Sequence, residues 1–198
     1  MEKLSEKLFE IGAIKFGSFT LKSGIVSPIY IDLRLLASHP DVLWQVAEEM
    51  GKILKKIKCD RIAAVPYAAM PIGTALSLKA KIPMVYCRKE AKEYGTKKRI
   101  EGEFKEGETI AVIDDLVTTA ASKFEAILPL EGAGLKVTDI IVLIDREQGG
   151  REELKKKGYA LHSCLKLSEM LKELKNAGKI TERQLKDTEE FLRKNRSN

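Results

Sequence analysis

Two adjacent aspartates, Asp114 and Asp115, follow an apolar run and precede small and hydroxyl-bearing residues, in the segment IAVIDDLVTTAAS at 110–122. The apolar run predicts a buried strand that ends at the aspartates. In open α/β sheets, ligands bind beyond the carboxyl ends of the strands. N–H groups at a helix start attract anions, whereas carboxylates suit sugar hydroxyls or a hydrated divalent cation. The segment therefore predicts a site for a ribose phosphate, although aspartates that merely cap a helix would fit as well.

Strands and helices alternate around this segment. Nearly continuous apolar runs predict strands at 61–66, 83–88, 108–114 and 137–145. Such runs are typical of parallel strands that are buried on both faces. The sequence therefore predicts one α/β domain with a parallel, Rossmann-like sheet. The sequence also predicts a short hairpin around Gly24 and a last strand at 159–165. Helices are predicted at 3–12, 39–57, 121–132, 150–157, 167–177 and 181–195.

Composition and charge exclude several classes of protein. The 198 residues are 44% hydrophobic, and 35 basic residues are interspersed with 29 acidic ones. Because the basic residues are not concentrated in one patch, nucleic-acid binding is not predicted. No run of about 18 apolar residues predicts a membrane span. The N-terminus has the pattern of an amphipathic helix and not of a signal peptide. Three widely spaced cysteines without metal-ligand spacing predict buried thiols in a reducing cytoplasm.

Residues 89–107 interrupt the alternation, because they are charged, contain glycine and have few apolar side chains. The pattern predicts a long exposed loop, and loops of this length inside a domain are usually functional or disordered. His39 and His162 are isolated from other catalytic residue types, so both are interpreted as structural.

The segment at 110–122 resembles the signature of type I phosphoribosyltransferases. In that family the acidic pair holds the ribose hydroxyls of phosphoribosyl pyrophosphate (PRPP), and the following loop holds its 5-phosphate. The resemblance implies that PRPP is bound by Asp114, Asp115, Leu116, Val117, Thr118, Thr119, Ala120, Ala121 and Ser122.

Other motifs narrow the resemblance to the orotate phosphoribosyltransferases. These motifs are FTLKSG (19–24), SPIYIDLR (27–34), VPYAAMP (65–71), RKEAKEYGTKKRIEG (88–102) and DREQGG (145–150). The resemblance covers roughly residues 4–195. Tyr94 and DREQGG are most similar to the orotate-transferring half of eukaryotic two-domain UMP synthases, and no decarboxylase half is expected within these 198 residues. Association with a separate orotidine monophosphate decarboxylase is left open.

The resemblance implies that orotate and PRPP give orotidine 5'-monophosphate and pyrophosphate, with Mg²⁺. The departing pyrophosphate is highly anionic, and Arg88, Lys89 and Lys92 supply cations for it on a loop that could close over the site. In the family, the lysine that matches Lys89 reaches into the neighbouring subunit. A homodimer with shared active sites is therefore expected, with Asp115 as a further catalytic residue.

Further site residues also follow from the resemblance. Lys22 would hold PRPP or orotate, Thr118 and Arg146 would contact orotate, and an arginine can bind a carboxylate with two hydrogen bonds. Tyr67 would lie in the loop that meets pyrophosphate and Tyr94 in the catalytic loop. Main-chain groups near Tyr30 and Ile31 would frame the pyrimidine. Mg²⁺ would be held mainly through PRPP, with Asp114 and Asp115 as candidates for contact through water.

Within the single domain of 1–198, the resemblance implies a small N-terminal hood at 1–36, an α/β core at 37–165 and C-terminal helices at 166–198. Two alternatives remain open at this stage. One is a PRPP-sensing regulator on the same fold, and the other is a phosphoribosyltransferase for purines. The loop cations favour an enzyme, and FTLKSG and DREQGG favour orotate.

Three positions depart from the family pattern. Ala120 stands where the phosphate loop usually has glycine, so backbone strain at positive φ and weakened PRPP binding are expected, together with tighter binding in Ala120→Gly. Tyr94 stands where bacterial enzymes commonly have histidine, and Lys97 or Lys98 are candidates to compensate. Ala68 stands where bacterial relatives often have a lysine for pyrophosphate.

Overall fold

The computed structural model describes residues 3–21, 24–88 and 99–196. Helices and strands alternate over most of this length. In chain order the elements are α1 (Leu4–Glu10), β1 (Ile14–Thr20), β2 (Val26–Ile31), a 3-10 helix (Leu33–Ser38), α2 (Pro40–Leu54), β3 (Arg61–Ala64), α3 (Ala69–Ala80), β4 (Met84–Cys87), β5 (Ile100–Glu101), β6 (Thr109–Val117), α4 (Ala121–Gly132), β7 (Lys136–Asp145), α5 (Gly150–Lys156), β8 (Ala160–Lys166), α6 (Leu167–Asn176) and α7 (Glu182–Lys194).

The main sheet has six strands in the order β5-β4-β3-β6-β7-β8. All neighbouring pairs are parallel except the pair between β4 and the two-residue edge strand β5. The α/β fold with a mostly parallel sheet is thus confirmed. Because parallel strands end on the same side, the carboxyl ends of β3, β6 and β7 lie next to one another.

The sheet is covered on both faces, which explains the continuous apolar runs of its strands. On β6, Ala111 and Ile113 belong to one buried cluster, which also contains residues of α1, α2, α3, α6 and α7. Ile110 and Val112 belong to a second cluster, formed with residues of α4 and α5. Side chains of a strand point alternately to its two faces, so residues 110–113 of β6 are all buried.

The N-terminal hairpin forms a separate two-stranded sheet. β1 and β2 are antiparallel, and Ile14 lies opposite Ile31. Ile14, Ile29 and Leu33 are buried in the same cluster as Leu171 and Leu192 of the C-terminal helices. The hairpin is therefore attached to the body of the molecule largely through those helices.

The end of β6 differs from its prediction, and α3 contains a proline near its start. β6 does not end at Asp114 but continues to Val117, because β7 runs beside it and pairs Leu116 with Ile144 and Val117 with Asp145. α3 begins at Ala69, before Pro71. A proline is compatible with the first turn of a helix, where its missing N–H is not needed.

Within the described residues, no helix has both the length and the apolar character needed to cross a membrane. Cys59, Cys87 and Cys164 are free thiols. They are only half-buried, whereas the sequence predicted buried thiols. Burial raises the pKa of the Cys164 thiol to about 12. A thiol with such a pKa is a poor nucleophile, which fits a structural role.

Candidate active site

The two aspartates lie in the last part of β6 and are bonded to each other and to a lysine. Asp114 is only 5% exposed, and its Oδ2 atom lies 2.5 Å from Nζ of Lys123 on α4. The backbone N–H of Asp115 donates to Oδ1 of Asp114, and the N–H of Leu116 donates to Oδ1 of Asp115, both at 2.8 Å. These bonds hold both carboxylates close to the backbone.

Asp115 has an environment that favours its protonated form. Burial, and after it the charge of Asp114, raises the pKa of Asp115 to about 7. A carboxyl that is poised near neutrality can donate or accept a hydrogen bond, as the hydroxyls of a ribose require. Asp115 is therefore suited to bind a vicinal diol.

The loop between β6 and α4 is fixed by the segment that follows β7. The N–H of Arg146 donates to the carbonyl of Val117 at 2.9 Å, and the N–H of Gly150 donates to the carbonyl of Thr118 at 3.0 Å. Oε2 of Glu153 accepts the N–H of Ala120 at 3.1 Å. The conformation of the loop thus depends on residues that are about thirty positions away in the sequence.

Ala120 adopts a right-handed conformation, with φ of −84° and ψ of −6°. The expectation of positive φ and backbone strain at this position was therefore wrong. Its side chain is fully buried in the cluster that also contains Val117 and Ile127. The structure thus gives a reason for the alanine, because its methyl group fills part of the core.

The start of α4 is a candidate anion site. No side chain caps this end of the helix, and the N–H groups of Ala121 and Ser122 have no acceptor within the helix. The helix dipole adds to the attraction of an anion. Next to it lies a cavity of about 450 Å³ whose lining includes Val65, Pro66, Cys87, Arg88, Arg99 and Ser122.

Arg146 brings a buried cation to the same end of the sheet. It follows β7 directly and is 8% exposed. Its Nε and Nη2 atoms are buried and have no hydrogen-bond partner among the described residues. Burial lowers the pKa of its guanidinium, which nevertheless stays protonated at neutral pH. A buried guanidinium without a partner is costly, and an anionic ligand would remove that cost.

The other predicted residues lie on three further parts of the chain. Tyr30 and Ile31 end β2, where the ring of Tyr30 stacks on Phe19 at 5.5 Å. Tyr67 follows β3 and is 67% exposed, after a cis Pro66–Tyr67 peptide bond. Nη1 of Arg88 pairs with Glu101 at 3.0 Å.

Several predicted site residues lie outside the described residues, namely Lys22, Lys89, Lys92, Tyr94, Lys97 and Lys98. Where the chain is described, no three His, Cys, Asp or Glu side chains come together as a metal site. Mg²⁺ is often bound mainly through substrate phosphates, and contact of Asp114 or Asp115 with it through water stays a prediction. Of the two histidines, His162 bonds to Asp139 at 2.7 Å.

Three residues with functional potential were missed from the sequence. These residues are Lys123, Gln148 and Glu153. Each bonds to a residue outside its own element, namely Asp114, Asn195 and Ala120 respectively. Lys123 alone gave a signal, because a lysine falls between apolar positions of a helix that begins at the acidic segment.

Comparisons with known proteins give the same class. No family model matches the chain. It is 42% identical to an orotate phosphoribosyltransferase of Archaeoglobus fulgidus, over 86% of this chain and 91% of that protein. It is 43% identical to the uridine 5'-monophosphate synthase of Bos taurus, over 95% of this chain but 40% of that protein. The chain thus spans less than half the length of such synthases.

Solved structures agree with these relatives. A UMP synthase of Leishmania donovani matches with a TM-score of 0.91 and 43% identity, over 96% of this chain and 42% of that one. An orotate phosphoribosyltransferase of Aeropyrum pernix matches with a TM-score of 0.74 and 28% identity, over 87% and 99%.

The mostly parallel sheet, the acidic end of β6 and the uncapped start of α4 define a phosphoribosyltransferase of type I. Within that class, the chain belongs to the orotate phosphoribosyltransferase family.

Proposed function

We propose that this chain transfers the 5-phosphoribosyl group of PRPP to orotate in pyrimidine biosynthesis, releasing pyrophosphate. Membership of the family supports the reaction, and the observation that carries the choice of base is Arg146. Orotate differs from the bases of purine transferases in its carboxylate. A buried guanidinium with two unpartnered nitrogen atoms matches a carboxylate in charge and in geometry.

Each part of the substrate pair has a proposed partner in the chain. Asp115, with Asp114 behind it, would bind the ribose hydroxyls. The N–H groups of Ala121 and Ser122, together with the hydroxyls of Thr118, Thr119 and Ser122, would bind the 5-phosphate. Arg146 would hold the orotate carboxylate, and backbone groups of Tyr30 and Ile31 would frame the ring. Lys22 would contribute to the same substrates.

The chemical step breaks the bond between ribose C1 and pyrophosphate, so positive charge develops on the ribose and negative charge on the leaving group. Arg88, Lys89 and Lys92 would stabilise that negative charge, with Tyr67 and Tyr94 nearby. Bound Mg²⁺ would neutralise part of the pyrophosphate charge. The loop that the family resemblance assigns to 88–102 would exclude water, which otherwise competes with orotate for C1.

The remaining proposals concern organisation. The hood at 1–36 and the helices at 166–198 would flank the catalytic core at 37–165. We propose a homodimer in which Lys89 serves the partner's site, and a cytoplasmic location, supported by the three unpaired cysteines. Several relatives of which this chain covers less than half are named UMP synthases, which supports association with a separate decarboxylase.

The proposed reaction is tested by following orotate absorbance with PRPP and Mg²⁺, and by repeating the assay with hypoxanthine and adenine. Turnover of orotate alone is the expected result. Turnover of a purine but not orotate would contradict the assignment, and PRPP binding without turnover of any base would indicate a regulator.

Arg146→Met tests the observation behind the choice of base. We expect KM for orotate to rise about a hundredfold, because a buried charged partner is lost, while KM for PRPP changes little. Thermal unfolding should occur at the same or a higher temperature, since the variant no longer buries an unpaired charge.

Arg151→Met is the matched control, because Arg151 instead bonds to Asp145 and Ser163. It should lower stability without a selective effect on orotate. Equal effects of Arg146→Met on both KM values would contradict the assigned role.

A further inference from the structure

Lys123 is a buried cation that the mechanism above does not use. It is the third residue of α4 and is 3% exposed. Its Nζ atom lies 2.5 Å from Oδ2 of Asp114 and 3.2 Å from Oγ of Ser122. The ammonium group therefore lies between the carboxylate at the ribose-binding end and the hydroxyl at the phosphate-binding end.

The stability of the fold does not explain this pair. Both side chains are almost completely removed from water, at 4% and 7% exposure. Desolvation of two ions is expensive, and replacement of such pairs by apolar side chains is often neutral or stabilising. An apolar residue at position 123 would also fit the neighbouring cluster of α4, so the charge calls for another reason.

The ligand supplies that reason. PRPP carries a phosphate and a pyrophosphate, and both must approach two adjacent carboxylates. Without a counter-ion, Asp114 and Asp115 would repel these groups at short range in a partly desolvated site. Lys123 offsets the charge of Asp114, and its bond also fixes the orientation of that carboxylate beside Asp115.

We propose that Lys123 is a positioning residue that sets the affinity for PRPP by acting as the fixed counter-ion of Asp114. Asp115 is then the carboxylate that remains available for the ribose hydroxyls. This role of Lys123 rests on one part of the proposed function, which is that the site binds PRPP. It does not depend on which base accepts the ribosyl group.

The test is a four-protein cycle of wild type, Lys123→Met, Asp114→Asn and the double variant. Each is assayed for kcat and KM for PRPP at saturating orotate, and for the rise in unfolding temperature that PRPP produces. Lys123→Met should raise KM for PRPP at least about tenfold and change kcat less than about threefold. In the double variant the unpaired charge is gone, so its KM should return to about that of Asp114→Asn.

Lys136→Met, at the opposite end of the sheet, is the control for loss of one positive charge, and its KM should stay near that of wild type. An unchanged KM in Lys123→Met would overturn the proposal. The proposal would also be overturned if Lys123→Met raised KM for PRPP by the same factor in wild type and in Asp114→Asn, since Lys123 would then act without Asp114. If Lys123→Met does not fold, the double variant and Asp114→Asn must still bind PRPP equally well, and a difference between them overturns the proposal.

The two levels of inference fail separately. If wild type does not turn over orotate, the proposed reaction is wrong. The PRPP-induced rise in unfolding temperature still tests Lys123 in that case.

Discussion

Charged side chains that usually lie on a protein surface are buried where β6 and β7 end. Asp114, Lys123, Asp145 and Arg146 are each less than a tenth exposed. Three of them have charged partners, since Lys123 binds Asp114 and Arg151 binds Asp145. Arg146 has no such partner among the described residues. Unpaired buried charge lowers stability, and this cost is the reason for the proposal that a ligand binds Arg146.

The sequence predicted part of this residue-scale arrangement. Asp114, Asp115 and Arg146 were predicted because they sit in short motifs, in which neighbours in sequence are neighbours in space. The partners of these residues could not be predicted, because Lys123 and Glu153 approach the loop only after α4 and α5 have packed. The reason for Ala120 was equally hidden, since burial of its methyl group depends on tertiary packing.

Asp115→Asn should change the pH dependence of stability. The pKa of Asp115 is raised from 3.8 to about 7 by burial and by Asp114. The folded state therefore holds this proton more tightly, and the associated stability is fully present below pH 3.8 and is lost as pH rises through about 7. Asparagine cannot ionise, so the variant should gain unfolding free energy relative to wild type at pH 8, by up to about 4 kcal/mol, and nothing near pH 4. Urea unfolding at both pH values measures this.

Asp60→Asn is a control of opposite sign. Hydrogen bonds from the side chain and backbone of Thr109 lower the pKa of Asp60. Its stabilising contribution is present above pH 3.8 and is lost as pH falls through the lowered pKa, so this variant should be less stable than wild type at pH 8. A difference between wild type and Asp115→Asn that is constant with pH would contradict the assigned environment.

Ala120→Gly should weaken the fold and leave PRPP binding unchanged. The substitution removes a fully buried methyl group from the core and adds backbone freedom, which together cost about 1 kcal/mol. Because Ala120 already has negative φ, glycine relieves no strain. Unfolding free energy and KM for PRPP are the measurements, with the exposed Ala121→Gly as comparison. Tighter PRPP binding in Ala120→Gly would contradict this prediction and would support the earlier expectation that the alanine weakens PRPP binding.

At the scale of elements, the phosphate loop depends on α5. The backbone of Gly150 lies against the end of β6, and a Cβ atom there would come within 2.6 Å of Cγ2 of Val117 and 2.8 Å of the carbonyl oxygen of Thr118. Gly150 also donates its N–H to that carbonyl. The DREQGG motif thus contains both Arg146, its second residue, and Gly150, its last residue, which supports the loop.

Gly150→Ala should therefore displace the loop. We expect a loss of about 1–3 kcal/mol in stability from overpacking, and a rise of about tenfold in KM for PRPP, because the N–H groups of the loop move. Unfolding and steady-state kinetics provide both numbers. Gly132→Ala, at the end of α4, is the control, since an added Cβ there has no atom within 4 Å. Normal PRPP binding in Gly150→Ala would show that the loop does not depend on this contact.

Most elements were predictable because their signals are local. Apolar periodicity defined α2, α4 and α7 within a few residues, and continuous apolar runs defined β3, β6 and β7. The extension of β6 to Val117 and the edge strand β5 were not predictable, since both depend on pairing with a neighbouring strand. Local sequence cannot show how far such pairing continues.

At the scale of the whole molecule, the two ends of the chain pack together. Glu173 of α6 accepts bonds from Lys3 at 2.9 Å and from Ser5 of α1 at 2.6 Å, and Lys179 reaches Glu10 at 2.6 Å. The end of α7 approaches the site as well, since Gln148 donates to the carbonyl of Asn195 at 3.3 Å. The C-terminal helices therefore hold both the hairpin and the segment of Arg146, which an alternation of strands and helices could not reveal.

The proposal that Lys89 of one subunit acts in the partner's active site gives a prediction for the dimer. Lys89→Ala and Asp115→Asn should each reduce turnover by orders of magnitude, because one loses a cation at the leaving group and the other a ligand of the ribose. If each site uses Lys89 of one subunit and Asp115 of the other, a mixed dimer has one site with both lesions and one intact site. With random exchange, half of the dimers are mixed, so the mixture should recover about a quarter of wild-type turnover.

The measurement is orotate turnover after equimolar variants are mixed and left to exchange subunits. Lys89→Ala mixed with a chain that carries both substitutions is the control, because no intact site can form in that mixture. Exchange itself is checked by mass measurement of differently tagged subunits, so that a negative result is informative. If mixed dimers form but turnover stays at the sum of the separate variants, Lys89 acts within its own subunit, and each site of the assembly is complete in one chain.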